Sequence, residues 1–426
     1  MKITKFKILL IILSLTYGSN IDELRSQYEN GEFLIAYNST MEFVNNNSED
    51  PLGFVLASEI ALSLDSLGKA NEYLLKAIDL DKANESFRKQ WASLDSLRQK
   101  LKEANRKNDS GLINDAIIAY EDIIDSNPKF AMPYHRLGRI YYSENNFDDA
   151  VYYFRKAIEV NPFNKSYQND ITNIAKKLAL EGDKIFKRKN YESAVEKYIQ
   201  STKIDPTYTE AFYRVGKAYY KIGDFELSKI NLEKAIETDD RHVQSLKLLG
   251  DIESKEGNDE KAVHWYEKAV EANSNYHIAH YALGKSFYRL EKNESALIAL
   301  NSAVMVDPTY AKAYELIGII HQSNGELDES ISNFQLAVAN NSKAYTANFR
   351  LASVLNELKN YSEAKLAAKA CIDIKRKYAG AWYELGVAEK NLGNKAAAKI
   401  AFKEASKDRK WKKNAQYEIK MLDKES

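Results

Sequence analysis

Glycine recurs every 34 residues through the second half of the chain, at Gly182, Gly216, Gly250, Gly284 and Gly318. Ala352 takes the next slot and Gly386 the one after. A second small-residue series keeps the same interval: Ala194, Ser228, Ala262, Ala296, Ser330, Ala364 and Ala398. A third runs through Thr202, Ala235, Ala269, Ala303, Ala337, Cys371 and Ala405, and slips by one residue at Thr202. Between them stand large residues, Tyr198, Leu232, Tyr266, Leu300, Phe334 and Phe402. This recurrence constrains the fold more than any single motif. A unit so short cannot bury its own apolar face, so successive units must stack on one another into a continuous core.

The spacing within a unit reads as two antiparallel amphipathic helices. Small residues lie where the two backbones approach, and large ones fill the space opposite. Asn or Asp before Pro128, Pro162, Pro206 and Pro308 ends the second helix. Gly223, Gly257, Gly325 and Gly393 fall between the helices, where the first needs a left-handed cap. Only 6 prolines and 17 glycines in 426 residues fit an all-helical chain. With 44% apolar and 29% charged residues, the chain is too apolar for disorder.

The unit at 131–164 carries Tyr134, Leu137, Gly138, Tyr141, Ala150, Phe154, Ala157 and Pro162. In these positions it resembles the tetratricopeptide repeat. Eleven units of this kind start at residues 17, 51, 97, 131, 175, 209, 243, 277, 311, 345 and 379. The first is degenerate and is recognised mainly by Gly31 and Ala36. The resemblance implies an all-α, right-handed superhelical solenoid of about eleven antiparallel helix pairs. It also implies a protein–protein interaction scaffold, since the family is defined by architecture rather than chemistry.

Two interruptions break the period, Glu85 to Ser96 and Lys165 to Ile174. Neither contains Gly or Pro, so each is expected to lengthen a first helix by about three turns rather than form a surface loop. The expected divisions are 19–84, 85–164 and 165–412, followed by a capping helix over 413–426. Trp411, Ala415, Ile419 and Leu422 give that last segment its apolar stripe.

Residues 1–18 read differently. Lys2, Lys5 and Lys7 precede an apolar run from Ile8 to Leu13, and Thr16 and Gly18 supply small residues beyond it. That layout predicts an export signal cleaved after Gly18, and hence a periplasmic or secreted protein of a bacterial envelope. The competing reading is an amphipathic or buried first helix, which the unbroken run does not favour. No cysteine follows directly, which argues against a lipoprotein anchor, and no later stretch approaches an integral membrane span.

No phosphate loop, nucleophile elbow or HExxH motif is present, so no catalytic residue, metal or cofactor is expected. His264, His277 and His280 have spacing that a zinc site uses, but packing histidines are the expectation. Cys371 stands in a small-residue slot and is expected to be an inert buried thiol. Equal counts of 61 basic and 61 acidic residues leave no net charge for nucleic acid.

The sharper functional signal is aromatic and basic. Tyr213, Lys217 and Tyr220 share one helix face; Tyr281, Lys285 and Tyr288 repeat the triplet two units on, and His135, Arg139 and Tyr142 echo it earlier. Lys247 and Arg289 add charge nearby. By the resemblance, first helices line the concave surface, where ligands lie. Rings with interleaved cations there suit an extended acidic peptide or a terminal carboxylate, on a face not needed for stacking. The lysine–asparagine set of the family's carboxylate clamp is absent. The expected function is an exported, non-enzymatic scaffold for protein or peptide partners. The alternative is a regulatory or substrate-recruiting subunit of a separately encoded enzyme or secretion complex.

Overall fold

The computed structural model describes residues 21–424, so the expected export signal lies outside the described residues. Among the described residues there are twenty-three α-helices and no strand. Twenty-two of them form eleven antiparallel pairs. Pair one is α1 (Ile21–Glu29) with α2 (Phe33–Asn46), and pair two is α3 (Pro51–Ser63) with α4 (Leu67–Leu80). Pair three is α5 (Glu85–Asp109) with α6 (Ile113–Ser126), and pair four is α7 (Ala131–Ser143) with α8 (Phe147–Val160). Pair five is α9 (Lys165–Lys187) with α10 (Tyr191–Ile204), and pair six is α11 (Thr209–Ile222) with α12 (Phe225–Thr238). Pair seven is α13 (Val243–Glu256) with α14 (Asp259–Ala272), and pair eight is α15 (His277–Arg289) with α16 (Asn293–Val306). Pair nine is α17 (Ala311–Asn324) with α18 (Leu327–Asn340), and pair ten is α19 (Tyr345–Glu357) with α20 (Tyr361–Ile374). Pair eleven is α21 (Ala379–Asn391) with α22 (Lys395–Ala405), and α23 (Lys412–Lys424) follows it. Ala415 and Leu422 of α23 are fully buried, with Trp411 and Ile419 packed beside them. The chain divides into two compact units. One runs to Glu181 and includes Gln200–Pro206; the other holds Gly182–Ile199 and continues from Thr207.

The glycine slot explains the pairing. A Cβ on Gly250 would sit 2.5 Å from a Tyr266 ring carbon, and one on Gly386 would sit 2.5 Å from Phe402. Atoms cannot approach that closely, so the ring occupies the volume that a side chain would need. In pair ten the slot holds Ala352, and the facing position is no longer a large residue but Ala368, both fully buried. Ser228 and Ser330, in the second small slot, donate their hydroxyls to the facing helix at Gly216 O (2.7 Å) and Gly318 O (2.9 Å). The polar atom is thus satisfied inside the apolar contact.

The third small-residue series does not slip. Ser201, not Thr202, fills that slot: it is fully buried and its hydroxyl donates to Ala175 O at 2.7 Å. Serine and threonine are both small and polar in the sequence, but it is Ser201 that is fully buried against α9.

Each turn within a pair contains one left-handed residue. Gly31, Gly111, Gly223, Gly257, Gly325 and Gly393 hold six of these positions, and Asp65, Asn145, Lys189, Glu291 and Lys359 hold the other five at φ near 60°. Proline is missing after α12 and α14, and there the Asp or Asn at the helix end makes the turn alone. Asp239 accepts from Arg241 N at 3.1 Å, and Asn273 from Asn275 N at 2.9 Å.

Both interruptions of the period are helical: α5 has 25 residues and α9 has 23. In the first unit the extra turns of α9 bury Tyr167, Ile171 and Ile174. The Tyr167 hydroxyl donates to Asp65 Oδ2 at 2.6 Å, and Asn161 Nδ2 donates to the same oxygen at 2.7 Å. These partners lie 102 and 96 residues apart. A solenoid ordinarily contacts only its neighbours. Here the turn of pair two reaches the start of pair five, so this unit curls back on itself. Lys129 over the Tyr28 ring, at 5.2 Å, is a second contact of that span.

Two stability measurements test this account. Gly386→Ala should cost about 1–3 kcal/mol by overpacking against Phe402, and Phe402→Ala about 3–5 kcal/mol by opening a cavity. Together they recreate the Ala352–Ala368 arrangement, so urea denaturation should show the double variant losing less than the sum, by about 0.5–3 kcal/mol. Strictly additive losses would contradict the steric reading of the slot. Tyr167→Phe should cost about 1–3 kcal/mol, because it removes a buried donor from a carboxylate; an unchanged urea midpoint would show that the Asp65 contact carries no weight.

Candidate functional site

In the second unit, first helices of adjacent pairs wall a cavity of about 420 Å³. Helix α13 contributes Lys247, Asp251, Ser254 and Lys255, whose spacing puts them on one face through successive turns. Helix α15 contributes Tyr281, Lys285 and Arg289, again one turn apart. Tyr220 comes from α11 and Tyr266 from α14, while Tyr310 and Lys312 enter from the start of pair nine. The lining therefore carries five cations and one carboxylate.

Most of these charges are already engaged. Lys247 Nζ lies 2.5 Å from Asp251 Oδ2, and the Tyr266 hydroxyl donates to the other oxygen at 2.9 Å. Arg289 donates to Ser254 Oγ at 2.7 Å and to Asp259 Oδ1 at 3.3 Å. Lys255 lies over the rings of Tyr220 (5.1 Å) and Phe225 (4.7 Å). Lys285 and Lys312 have no hydrogen bond or ion pair among the described residues. Desolvation in the cavity holds the Lys285 ammonium below the ordinary lysine value, and the Arg289 guanidinium pushes the same way. Burial pushes the Tyr310 hydroxyl up to about 12, so it remains a neutral donor at physiological pH.

The residues singled out in the sequence are divided by the fold. Tyr220, Lys247, Tyr281, Lys285 and Arg289 converge on this cavity. Tyr213 and Lys217 lie outside its lining: Lys217 is over Phe186 at 5.6 Å and Tyr213 at 5.7 Å. Tyr288 packs into the apolar cluster around Leu316 and Ile320. In the first unit, Arg139 and Tyr142 line a separate cavity of about 330 Å³ with Lys176 and Lys177. His135 is bound to Asp170 at 2.6 Å and lies 4.5 Å from the Tyr167 ring.

The expectation that this aromatic face is spared from stacking is corrected. Tyr213 meets His242 of the next pair edge-on at 5.3 Å, and Tyr281 meets Tyr310 at 5.3 Å. These two first helices lean a ring on the next pair, where tyrosine supplies both apolar area and an outward hydroxyl. Lys312 and Tyr310 were missed because within-helix spacing cannot register residues from a neighbouring pair. The period could have found them, since Lys312 stands one repeat after Ile278, which also lines the cavity.

The remaining candidates are placed as packing groups. His277 faces Asp307 at 3.5 Å and Tyr310 at 4.9 Å, and His280 pairs with Ser274 O at 2.9 Å. Among the described residues no three His, Cys, Asp or Glu side chains gather to hold a metal ion. Cys371 is fully buried, which pushes its thiol up to about 11. No helix among the described residues is long and apolar enough to cross a membrane.

Comparison with known proteins places this geometry in a lineage. Family models described as "TPR repeat" match residues 182–223 and 250–291. Models described as "Tetratricopeptide repeat" match 131–164, 209–242, 281–344, 315–379 and 379–407. Superkiller complex protein 3 of Mus musculus is 24% identical over 67% of this chain, which spans 18% of that protein. The TPR repeat-containing protein MJ1428 of Methanocaldococcus jannaschii is 24% identical over 72% of this chain, which spans 61% of it. The chain thus spans less than two thirds of either relative. Among solved structures, the C-terminal part of a TPR repeat-containing protein from Cytophaga hutchinsonii aligns with 57% of this chain and 99% of its own, at 18% identity and a TM-score of 0.47. With matched repeats spread from residue 131 to 407 on stacked helix pairs, the chain belongs to the tetratricopeptide-repeat family.

Proposed function

We propose that this protein is an exported, non-enzymatic scaffold of a bacterial envelope that holds partner proteins through extended acidic segments. The observation that carries the reading is the cavity between pairs six and nine, where cations outnumber carboxylates and tyrosines form the walls. Proteins of this family generally serve as non-catalytic platforms, and helix pairs stacked in series offer a long face for a peptide. The mouse relative is, by its name, a component of a complex, which fits a part in assembly. Export rests on the lysine-rich start, short apolar run and small residues of positions 1–18.

Two measurements test these halves separately. The mature protein recovered from cells should begin at Ser19; retention of Met1 would remove the export half of the reading. Tagged protein used as bait in envelope extract should capture a partner whose recovery falls in the Lys217→Glu, Lys285→Glu double variant and as salt rises, because exposed charges are screened over about 10 Å at 0.1 M ionic strength. Lys234→Glu, on an exposed second-helix position, should leave capture unchanged. Equal losses in both variants, or no salt effect, would place the partner on another face.

A further inference from the structure

Ion pairing sorts the basic side chains of the second unit's first-helix face into two classes. Arg214 is held by Asp183 at 3.0 Å and Glu210 at 3.5 Å. Lys247 and Arg289 have their own carboxylates, and Lys217 and Lys255 lie over rings. Lys285 and Lys312 have neither carboxylate nor hydrogen-bond partner among the described residues, and both line the same cavity. The Lys285 and Lys312 ammonium groups repel one another across one partly desolvated space, with Asp251 and Asp259 near enough to Lys285 to offset part of that repulsion. An anion placed there would be attracted by both ammonium groups and would relieve the remainder.

We propose that this cavity binds adjacent acidic side chains of a partner protein's extended segment, with Lys285 and Lys312 holding the carboxylates and Tyr281 and Tyr310 forming the wall for the flanking residue. The inference rests on the peptide-binding reading above and specifies its anchor chemistry. Nucleic acid is the poorer match. A single strand needs cations along a continuous track, but here the flanking Arg214 and Lys247 are neutralised by Asp183, Glu210 and Asp251. The two lysines of this face with neither carboxylate nor ring partner share one cavity of about 420 Å³, a volume for a few side chains rather than a strand. A chain terminus matches less well than acidic side chains. The lining contains no asparagine or glutamine amide to complement a terminal carboxylate. Its two free ammonium groups belong to successive helix pairs, which suits two carboxylates carried side by side.

Fluorescence anisotropy with the full chain tests the assignment. The probe is a labelled, C-terminally amidated peptide with two adjacent glutamates flanked by leucines. The wild-type chain should bind it, and Lys285→Gln with Lys312→Gln should weaken binding at least about tenfold, the usual effect of losing charge-assisted bonds. Lys285→Arg with Lys312→Arg should retain binding, which separates lost charge from a damaged fold, and circular dichroism should be the same for all variants. The glutamine counterpart of the peptide should bind the wild-type chain no better than the glutamate peptide binds the double glutamine variant. Equal affinity in that variant would overturn this anchor while leaving the broader groove reading to the capture experiment. Failure of the wild-type chain to bind the glutamate peptide would also overturn it. Tighter binding of a non-acidic peptide with a free carboxyl end would assign the cavity to a chain terminus, and displacement of the probe by oligothymidine would assign it to single-stranded nucleic acid.

Discussion

The close approach of two helix backbones at the glycine slot is the contact on which the rest of the array depends. At Gly182, Gly250, Gly318 and Gly386 an aromatic ring from the second helix lies against bare backbone, closer than any Cβ allows. The dispersion attraction of each atom pair there is small, but a ring pressed flat on a helix sums over many such pairs. Because the same arrangement recurs at a fixed interval, the pairs that carry it each leave a comparable apolar face for the next. Position along the chain therefore becomes position along the stack. That regularity is why side chains from α13, α15 and the start of α17 reach one cavity although they are up to 65 residues apart, from Lys247 to Lys312. Pair ten shows that the constraint is steric rather than a demand for glycine itself. Ala352 is accommodated because Ala368 gives up the volume.

The first compact unit adds a constraint that repeat physics alone does not supply. Nearest-neighbour stacking leaves a solenoid free to flex by small increments at each interface. The contact from Asp65 to Asn161 and Tyr167 spans three pairs, so it limits the sum of those increments. Asp65 reaches its partners from a left-handed backbone at φ 60°, a conformation that costs a non-glycine residue roughly 1–2 kcal/mol. The extra turns of α9 are what bring Tyr167 within reach, so the break in the period has a structural consequence.

The sequence made the fold legible wherever the determinant is steric and repeats. Small residues at 34-residue spacing, helix-ending Asn–Pro and Asp–Pro pairs, and uninterrupted helical insertions all translate into local geometry. Legibility fails where two side chains are locally equivalent. Ser201 and Thr202 are alike in type, and Ser201 takes the buried place against α9, a choice set by helix phase at a single residue. Turns at Lys189, Glu291 and Lys359 carry no glycine to mark them, although the neighbouring repeats place them. The candidate site was legible only in part, for an electrostatic reason. Lys217 and Lys285 occupy the same place in their Tyr–Lys–Tyr triplets. Yet one lies over two rings and the other stands beside Arg289 with no carboxylate in ion-pair contact. Pairing is decided by residues from other helices, which spacing within one helix does not reveal.

A chain with no net charge can still present a sharply localised field, and the acids of this site show how. Asp251 is held from both sides, by Lys247 at 2.5 Å and by the Tyr266 hydroxyl at 2.9 Å, so both of its oxygens are engaged. Asp259 and Ser254 hold Arg289 in a similar way. These pairs do more than cancel charge. They orient cations that would otherwise swing through solvent, and they leave Lys285 and Lys312 as lining cations without an ion pair or a ring. At ordinary salt such a potential fades within about 10 Å, too short a reach to draw a partner from a distance. Selectivity at this face must then come from contact, with the stacked tyrosines setting the shape that a segment has to match before its charge is felt.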